Sequence, residues 1–336
     1  MTLPKIAITM GDPAGVGPEI CLQAIRQPTV LSNCVPIIFG DAGILRDVAE
    51  LLDLGFPDTV LSTDEWLASP AIVSPTIVDF DVRLQNFSPG RVSKQTGAAS
   101  FQFVESAIDA AQAKRVEALV TAPINKEALN AAGISYPGHT EILAAKSNSD
   151  RICMMLTSQE LTCSLVTTHV GYDEVPGLLT IERIVDVIEL SCDAIRRMQN
   201  RAPRLTVCGL NPHGGEQGLF GNREEERIIA PAVDIARQKG IDVVGPLPAD
   251  TAFVPERRAE TDCYICMYHD QGLIPLKTLA FDYAVNVTLG IPIIRTSVDH
   301  GTACDIAWKG IATITSMIEA IQLASKMASS KPVLVN

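Results

Sequence analysis

Cys263-Tyr264-Ile265-Cys266-Met267 runs directly into Tyr268-His269-Asp270-Gln271-Gly272. A short apolar run that stops at a polar, glycine-containing loop reads as a buried strand leaving a sheet. The same form occurs twice more. Leu161–Thr167 leads into Thr168-His169, and Arg204–Leu210 leads into Asn211-Pro212-His213-Gly214-Gly215. Between these strands, Ile181–Gln199 and Glu224–Lys239 have helical character. Strand alternating with helix predicts a largely parallel sheet with helices on its faces.

The pattern extends in both directions. Lys5–Thr9, Val35–Phe39 and Ala118–Thr121 are apolar strands, and Pro18–Arg26 starts a helix with proline in its first turn. Thr96–Ala113 places Phe101, Val104, Ala107, Ile108 and Ala111 at helical spacing, and Met317–Lys326 is a last helix. Hydrophobic residues are 47% of the 336 and aromatics only 5%, which favours α/β layers over an aromatic-rich β-sandwich and excludes a disordered chain. This length suits two domains or one large one.

Lysine and arginine number 27 against 39 acidic residues, a formal charge of −12. Without a basic run, that balance argues against nucleic acid as a partner. A small anionic substrate stays compatible, because a few placed cations dominate one cleft. No stretch approaches the ~20 apolar residues of a membrane span. Met1-Thr2-Leu3-Pro4-Lys5 shows no apolar signal core. With nine scattered cysteines read as reduced, mostly buried thiols, the expected compartment is the cytoplasm. Cys263 and Cys266 have C-x-x-C spacing, but residues three apart on a strand face opposite ways, so they read as core thiols.

Ligands of open α/β sheets bind at the carboxyl ends of strands. His169, His213 and His269 all fall at such ends. Three imidazoles suit a divalent transition metal and leave open positions for water or substrate. There is no H-E-x-x-H, so a helix-borne zinc protease site is excluded.

Two glycine-rich stretches stand out. Met10-Gly11-Asp12-Pro13-Ala14-Gly15-Val16-Gly17-Pro18-Glu19 lacks the lysine of a phosphate loop and the third glycine of a dinucleotide fingerprint. It reads equally well as a tight turn for close helix–strand packing. In Asp299–Gly310 small residues let the backbone approach a ligand, and Asp305 has the acceptors for a ribose or an amine.

Together these segments resemble the 4-hydroxythreonine-4-phosphate dehydrogenases of pyridoxal phosphate biosynthesis. The resemblance runs nearly end to end. It rests on Ile8-Thr9-Met10-Gly11-Asp12-Pro13-Ala14-Gly15, Thr121-Ala122-Pro123-Ile124-Asn125-Lys126, Gly138-His139-Thr140-Glu141, Thr167-Thr168-His169 and Gly209-Leu210-Asn211-Pro212-His213. It continues through Gly245-Pro246-Leu247-Pro248-Ala249-Asp250-Thr251, Met267-Tyr268-His269-Asp270-Gln271-Gly272 and Arg295-Thr296-Ser297-Val298-Asp299-His300-Gly301-Thr302.

The resemblance implies two α/β/α domains with a cleft between them, of the isocitrate and isopropylmalate dehydrogenase type. Residues 1–130 and 286–336 would form the cofactor side, and 131–285 a second domain carrying metal and dimer contacts. It implies a homodimer with the active site at the subunit interface. The implied activity is oxidation of 4-phosphooxy-L-threonine at C3 with decarboxylation to 3-amino-2-oxopropyl phosphate. NAD or NADP and one divalent metal would serve as cofactors, zinc ahead of magnesium or cobalt.

Carried over, His169, His213 and His269 resemble the metal ligands, with His269 expected from the partner subunit. His139, Thr140, Lys277, Asn286 and Arg295 match substrate-binding positions, and His300, Gly301, Thr302 and Asp305 lie in the cofactor loop. Lys277 and Asp250 are the candidates for the general base. The same scaffold also serves D-threonate or D-erythronate 4-phosphate and cyclic dihydrodiol carboxylates. A reading of another class is a metal-dependent hydrolase using the three histidines with water.

Overall fold

The computed structural model describes residues 2–68 and 71–330. Two compact units form, one from the residues up to Ser149 with Ile291–Ser329, the other from Asp150–Gly290. These edges differ from those expected at 130/131 and 285/286. The helix His139–Ser147 stays with the first unit because Lys146 pairs with Glu105 and its carbonyl accepts Gln112 Nε2 at 3.0 Å. Val285–Leu289 stays with the second unit because it pairs with Cys153–Thr157. Residues 331–336, expected in the first domain, lie outside the described ones.

The first unit holds β1 (Lys5–Thr9), β2 (Val35–Gly40), β3 (Thr59–Ser62), β4 (Thr76–Asp79) and β5 (Ala118–Thr121). The second holds β6 (Cys153–Thr157), β7 (Thr162–Leu165), β8 (Arg204–Cys208), β9 (Asp242–Leu247), β10 (Cys263–Cys266) and β11 (Val285–Leu289). The last strand, β12 (Arg295–Val298), returns to the first unit. There the order is β3-β4-β2-β1-β5-β12, with every pair parallel. β2 is buried at all its residues and β1 at all but the first, as a sheet covered on both faces requires.

The second unit orders β11-β6-β7-β10-β8-β9 and is mixed. β11/β6 and β6/β7 are antiparallel, while β7/β10, β10/β8 and β8/β9 are parallel. The expected parallel set therefore covers the histidine-bearing strands, and an antiparallel pair borders it. The turn at Ser158–Leu161 is too short for a crossover, so β6 and β7 must form a hairpin.

Local chemistry sets the helix ends. Ser93 caps Lys94–Gln112 by accepting Thr96 N at 3.2 Å, and Thr180 caps Ile181–Gln199 through Arg183 N at 3.0 Å. In the first of these helices Phe103 is the fully buried aromatic. Phe101, expected in the apolar stripe, is half-buried and stacks on Tyr136. The helix expected over Glu224–Lys239 opens instead as a π turn, Glu225–Ile229, ahead of Ala230–Gln238. Pro231 has no N–H to give the preceding turn, and the ladder widens there.

The cysteines are free thiols, and all but Cys304 are buried. Cys266 lies with Cys163 and Cys208 in one core cluster, whereas Cys263 approaches Ser164 Oγ at 3.6 Å. The two members of the C-x-x-C spacing thus serve different faces.

Gly97 faces the helix Lys126–Ala131 so closely that a Cβ there would lie 2.1 Å from Ala128 O. Gly97→Ala should therefore cost roughly 1–3 kcal/mol in a denaturant titration. Gly177→Ala, where nothing lies within 4 Å of the Cβ position, should leave the midpoint nearly unchanged.

Candidate active site

In the first unit, Gly138 precedes the helix His139–Ser147 with extended backbone and no side-chain cap. The amides of that first turn point outward with the positive end of the helix dipole. Arg295, on β12, is buried at 2% exposure and donates from Nη2 to Thr121 Oγ1 at 2.6 Å. Burial lowers its guanidinium to about 9, so it stays charged at neutral pH. His139 is held well below the ordinary histidine value, first by burial and then by the charge of Arg295. Its Nε2 is sealed from solvent and finds no partner among the described residues. A fixed cation, a neutral imidazole and open amides with Thr140 in the first turn make a receptor for an anion.

The 299–310 loop, expected to border a cofactor, is also in this unit. Val16 N donates to Thr302 O at 2.9 Å, Trp308 Nε1 to Pro13 O at 3.1 Å, and Gly310 N to Glu19 Oε2 at 2.8 Å. The glycine-rich stretch after β1 is thus the seat of the 299–310 loop. Gly15 has to be glycine, since a Cβ would fall 2.8 Å from Thr302 O. The loop leads into no helix until Thr315. His300, Gly301 and Asp305 are exposed, and nothing lies within 4 Å of a Cβ placed on Gly301. That open edge fits the approach of a dinucleotide to backbone.

The second unit gathers the histidines. His169 follows β7, His213 follows β8, and His269 opens the helix His269–Ala280 after β10. The rings of His169 and His269 stand 5.6 Å apart and line one cavity of about 200 Å³ with Thr168, Tyr172, Tyr268 and Asp270. Two imidazoles bound tetrahedrally to one ion at about 2.1 Å have ring centres roughly 5 Å apart, so this pair has suitable spacing. His269 Nδ1 meets Asp270 Oδ1 at 2.7 Å and His213 Nδ1 meets Glu216 Oε1 at 2.8 Å. Carboxylates at Nδ1 leave Nε2 as the ligating atom, the usual arrangement around a metal. The donor chemistry fits a divalent cation. Among the described residues, no three His, Cys, Asp or Glu side chains of the one chain are grouped to hold it. The arrangement contains the His169/His269 pair, with His213 outside any such group.

The His213 loop is held from beneath. Glu225, buried on the π turn, accepts Leu210 N at 2.9 Å, Asn211 N at 2.7 Å and Asn211 Nδ2 at 3.0 Å. His213, Glu216 and Gln217 all take positive φ, strained for residues with a Cβ. Glu216, by hydrogen bond and charge, raises the His213 pKa, and Asp250 adds to it. Asp250 is itself exposed, on the helical turn Ala249–Ala252. Lys277 is half-buried with its ammonium 5.6 Å from the centre of the Phe281 ring. Asn286, on β11, turns a buried Oδ1 that has no partner among the described residues.

The sequence reading missed the carboxylates paired with two of the histidines. Their signal was present, an acid one residue after His269 and another three after His213. It also missed Tyr172, whose ring lies 5.2 Å from that of Tyr268 beside the cavity.

Residues 32–324 match the profile of a family described as pyridoxal phosphate biosynthetic protein PdxA. The chain belongs to that family. A 4-hydroxythreonine-4-phosphate dehydrogenase from Desulfosudis oleivorans is 44% identical over 331 residues, covering 97% of this chain and 96% of the relative. A D-threonate 4-phosphate dehydrogenase from Cupriavidus necator is 40% identical over 331 residues, covering 98% of each. The crystal structure of a 4-hydroxythreonine-4-phosphate dehydrogenase from Klebsiella pneumoniae superimposes with a TM-score of 0.84 at 41% identity, covering 97% of this chain and 100% of that one. Among the described residues of this PdxA family member, no helix is long and apolar enough to cross a membrane.

The shifts fix an order of protonation. As the pH falls, His213, raised above 6.5, takes up its proton before His139, which is lowered below it. Imidazole resonances followed by NMR on the metal-free protein should titrate in that order, and Glu216→Gln should move the His213 midpoint down while leaving His139 in place.

Proposed function

We propose that this protein is a metal- and NAD(P)-dependent dehydrogenase. On this reading it oxidises 4-phosphooxy-L-threonine at C3 and releases carbon dioxide, giving 3-amino-2-oxopropyl phosphate, a step of pyridoxal phosphate biosynthesis. The observation that carries it is the anion receptor at His139, Thr140 and Arg295, on a chain that matches dehydrogenases of phosphorylated hydroxy acids over its whole length.

Arg295 offers a planar fork for carboxylate or phosphate, and the His139–Ser147 helix start adds amides. His139, being neutral, donates or accepts without adding charge. Lys277 supplies a second cation, and Asn286 Oδ1 an acceptor for a hydroxyl or ammonium of the substrate. Lys277 and Asp250 are the groups to take the C3 hydroxyl proton and to return a proton at C2 once the C1–C2 bond has broken. His169, His213 and His269 would hold the cation, with the set completed by a second copy of the chain, and His300, Gly301, Thr302 and Asp305 would border the dinucleotide. When bound, the nicotinamide accepts the hydride from C3 and the cation offsets negative charge on the C3 oxygen. Exposed Ile274, Phe281 and Leu219, at 64%, 71% and 70%, give the second copy an apolar surface to cover.

A second reading has direct support in the name of the Cupriavidus necator relative. D-threonate 4-phosphate has a hydroxyl in place of the amine at C2, and the same bond changes would give dihydroxyacetone phosphate. Purified protein with each acid, NAD or NADP, and added divalent metal, followed at 340 nm, decides between them. Turnover should be larger with 4-phosphooxy-L-threonine and should yield carbon dioxide and an amino ketone. Preference for the threonate ester would replace the first reading with the second. Hydrolysis without reduced nicotinamide would overturn both.

Arg295→Lys replaces the fork by a single ammonium, which the same burial disfavours in its charged form. It should raise the KM for the acid roughly 10–100-fold, the loss of one charged hydrogen-bonded contact. Cofactor affinity, measured by nicotinamide fluorescence, should stay within about twofold.

A further inference from the structure

We propose that Gln271 is a positioning residue that ties the His213 loop to the start of the His269 loop and so tunes the affinity of the assembled site for a divalent cation. This rests on the metal reading above and adds a residue outside it. Gln271 is 6% exposed and sits in the first turn of the helix His269–Ala280. Its Oε1 accepts Met267 N at 2.6 Å and its Nε2 donates to Gly209 O at 2.7 Å. Met267 lies two residues before His269, and Gly209 four before His213. On the other side, Thr167, two residues before His169, donates from Oγ1 to Met267 O at 2.7 Å.

These contacts begin where the sheet stops. The last paired residues are Cys266 with Leu165 and Ile265 with Val207. Beyond them the three chains leave the sheet, each toward a histidine. One side-chain amide joins the ends of β10 and β8, while the ends of β7 and β10 are joined by one hydroxyl and by the backbone bond from Thr167 N to Met267 O. Only an amide serves at position 271. A carboxylate has no donor for Gly209 O, an ammonium no acceptor for Met267 N, and an apolar side chain neither.

A glutamine reaching back past its helix start also resembles an ordinary N-terminal cap, whose loss lowers stability and nothing more. The second bond, across to β8, separates the two roles. A cap holds its own helix, whereas Gln271 fixes the position of another strand's loop relative to it. Metal affinity is the readout that moves only in the second case.

The test uses the full-length assembled protein, stripped of metal, as wild type, Gln271→Ala, Gln271→Glu and Thr167→Val. Zn²⁺ affinity is measured by competition with a chromogenic chelator, Co²⁺ coordination by its visible absorption, and the Tm of each metal-free protein is recorded. Both Gln271 variants should bind Zn²⁺ about 10–100-fold more weakly and alter the cobalt band. Thr167→Val should lose a few-fold, a smaller effect because Thr167 N still donates to Met267 O at 3.2 Å. Lower Tm with unchanged Zn²⁺ affinity and cobalt spectrum would overturn the proposal and leave Gln271 a cap. If Gln271→Ala fails to fold, Gln271→Glu, which keeps the acceptor for Met267 N and loses only the bond to Gly209 O, decides it, and unchanged affinity there overturns the proposal. Absence of Zn²⁺ and Co²⁺ uptake by the wild type would instead remove the metal reading, and the positioning role with it.

Discussion

The parallel pairing of β7, β10 and β8 is the constraint on which the second unit depends. Parallel strands all end at one edge, so three successive strand exits are delivered side by side. His169, His213 and His269 follow one another at 44 and 56 residues in the chain, so His169 and His269 are 100 residues apart. Backbone hydrogen bonds across the sheet bring the three exits to one edge, where the rings of His169 and His269 stand 5.6 Å apart. The antiparallel hairpin of β6 and β7 does not disturb this, because β7 still runs with β10. The loops beyond the sheet then need their own ties, and buried polar side chains provide them: Gln271 and Thr167 between strands, Glu225 within the His213 loop.

Electrostatics is divided between the units in a way the net charge of −12 conceals. In the first unit, one buried guanidinium beside one neutral imidazole makes a local positive site in an acidic protein. Arg295 suits this role better than a lysine would, because it keeps its proton even when burial lowers its pKa. In the second unit the local charge is negative. Asp270 and Glu216 pair with histidines, and Asp250 contributes to the field at His213. On the proposed reading the first environment would suit an anionic ester and the second a divalent cation.

Much of the fold was legible because strands and helices here obey simple periodicity. β1, β5 and Ile181–Gln199 have the expected bounds, and the histidine-bearing strands differ only at their ends. What was not legible depended on contacts distant in sequence. The helix His139–Ser147 has almost no amphipathic pattern, and its place in the first unit follows from Lys146 and Gln112. Phe101 and Phe103 both fit a helical stripe, and only packing decides which is buried. The individual histidines were readable from strand ends, but their spacing was not. Sequence gives the order of strand exits and says nothing of the distance between rings. Likewise the seat of the 299–310 loop on residues 10–19 joins the two ends of the chain, beyond the reach of any local pattern.

The choice between the two proposed substrates reduces to one substituent at C2, ammonium in the threonine ester and hydroxyl in the threonate ester. Phosphate, carboxylate and C3 hydroxyl are common to both, so on the proposed reading Arg295, His139 and Thr140 would meet groups that both acids carry and would not discriminate. Discrimination has to come from a group that meets C2. A full positive charge gains from a carboxylate or an uncommitted amide oxygen, whereas a hydroxyl needs only one acceptor or donor. Asn286 Oδ1 is buried with no partner among the described residues, and an amide oxygen accepts from both substituents. A carboxylate at C2 would favour the amine more strongly, by the added charge interaction in a site that excludes water. On that reading specificity would turn on whether an acid stands at C2, and affinity for the ester as a whole on Arg295. The two properties could then change independently, and relatives of 44% and 40% identity do carry different named substrates.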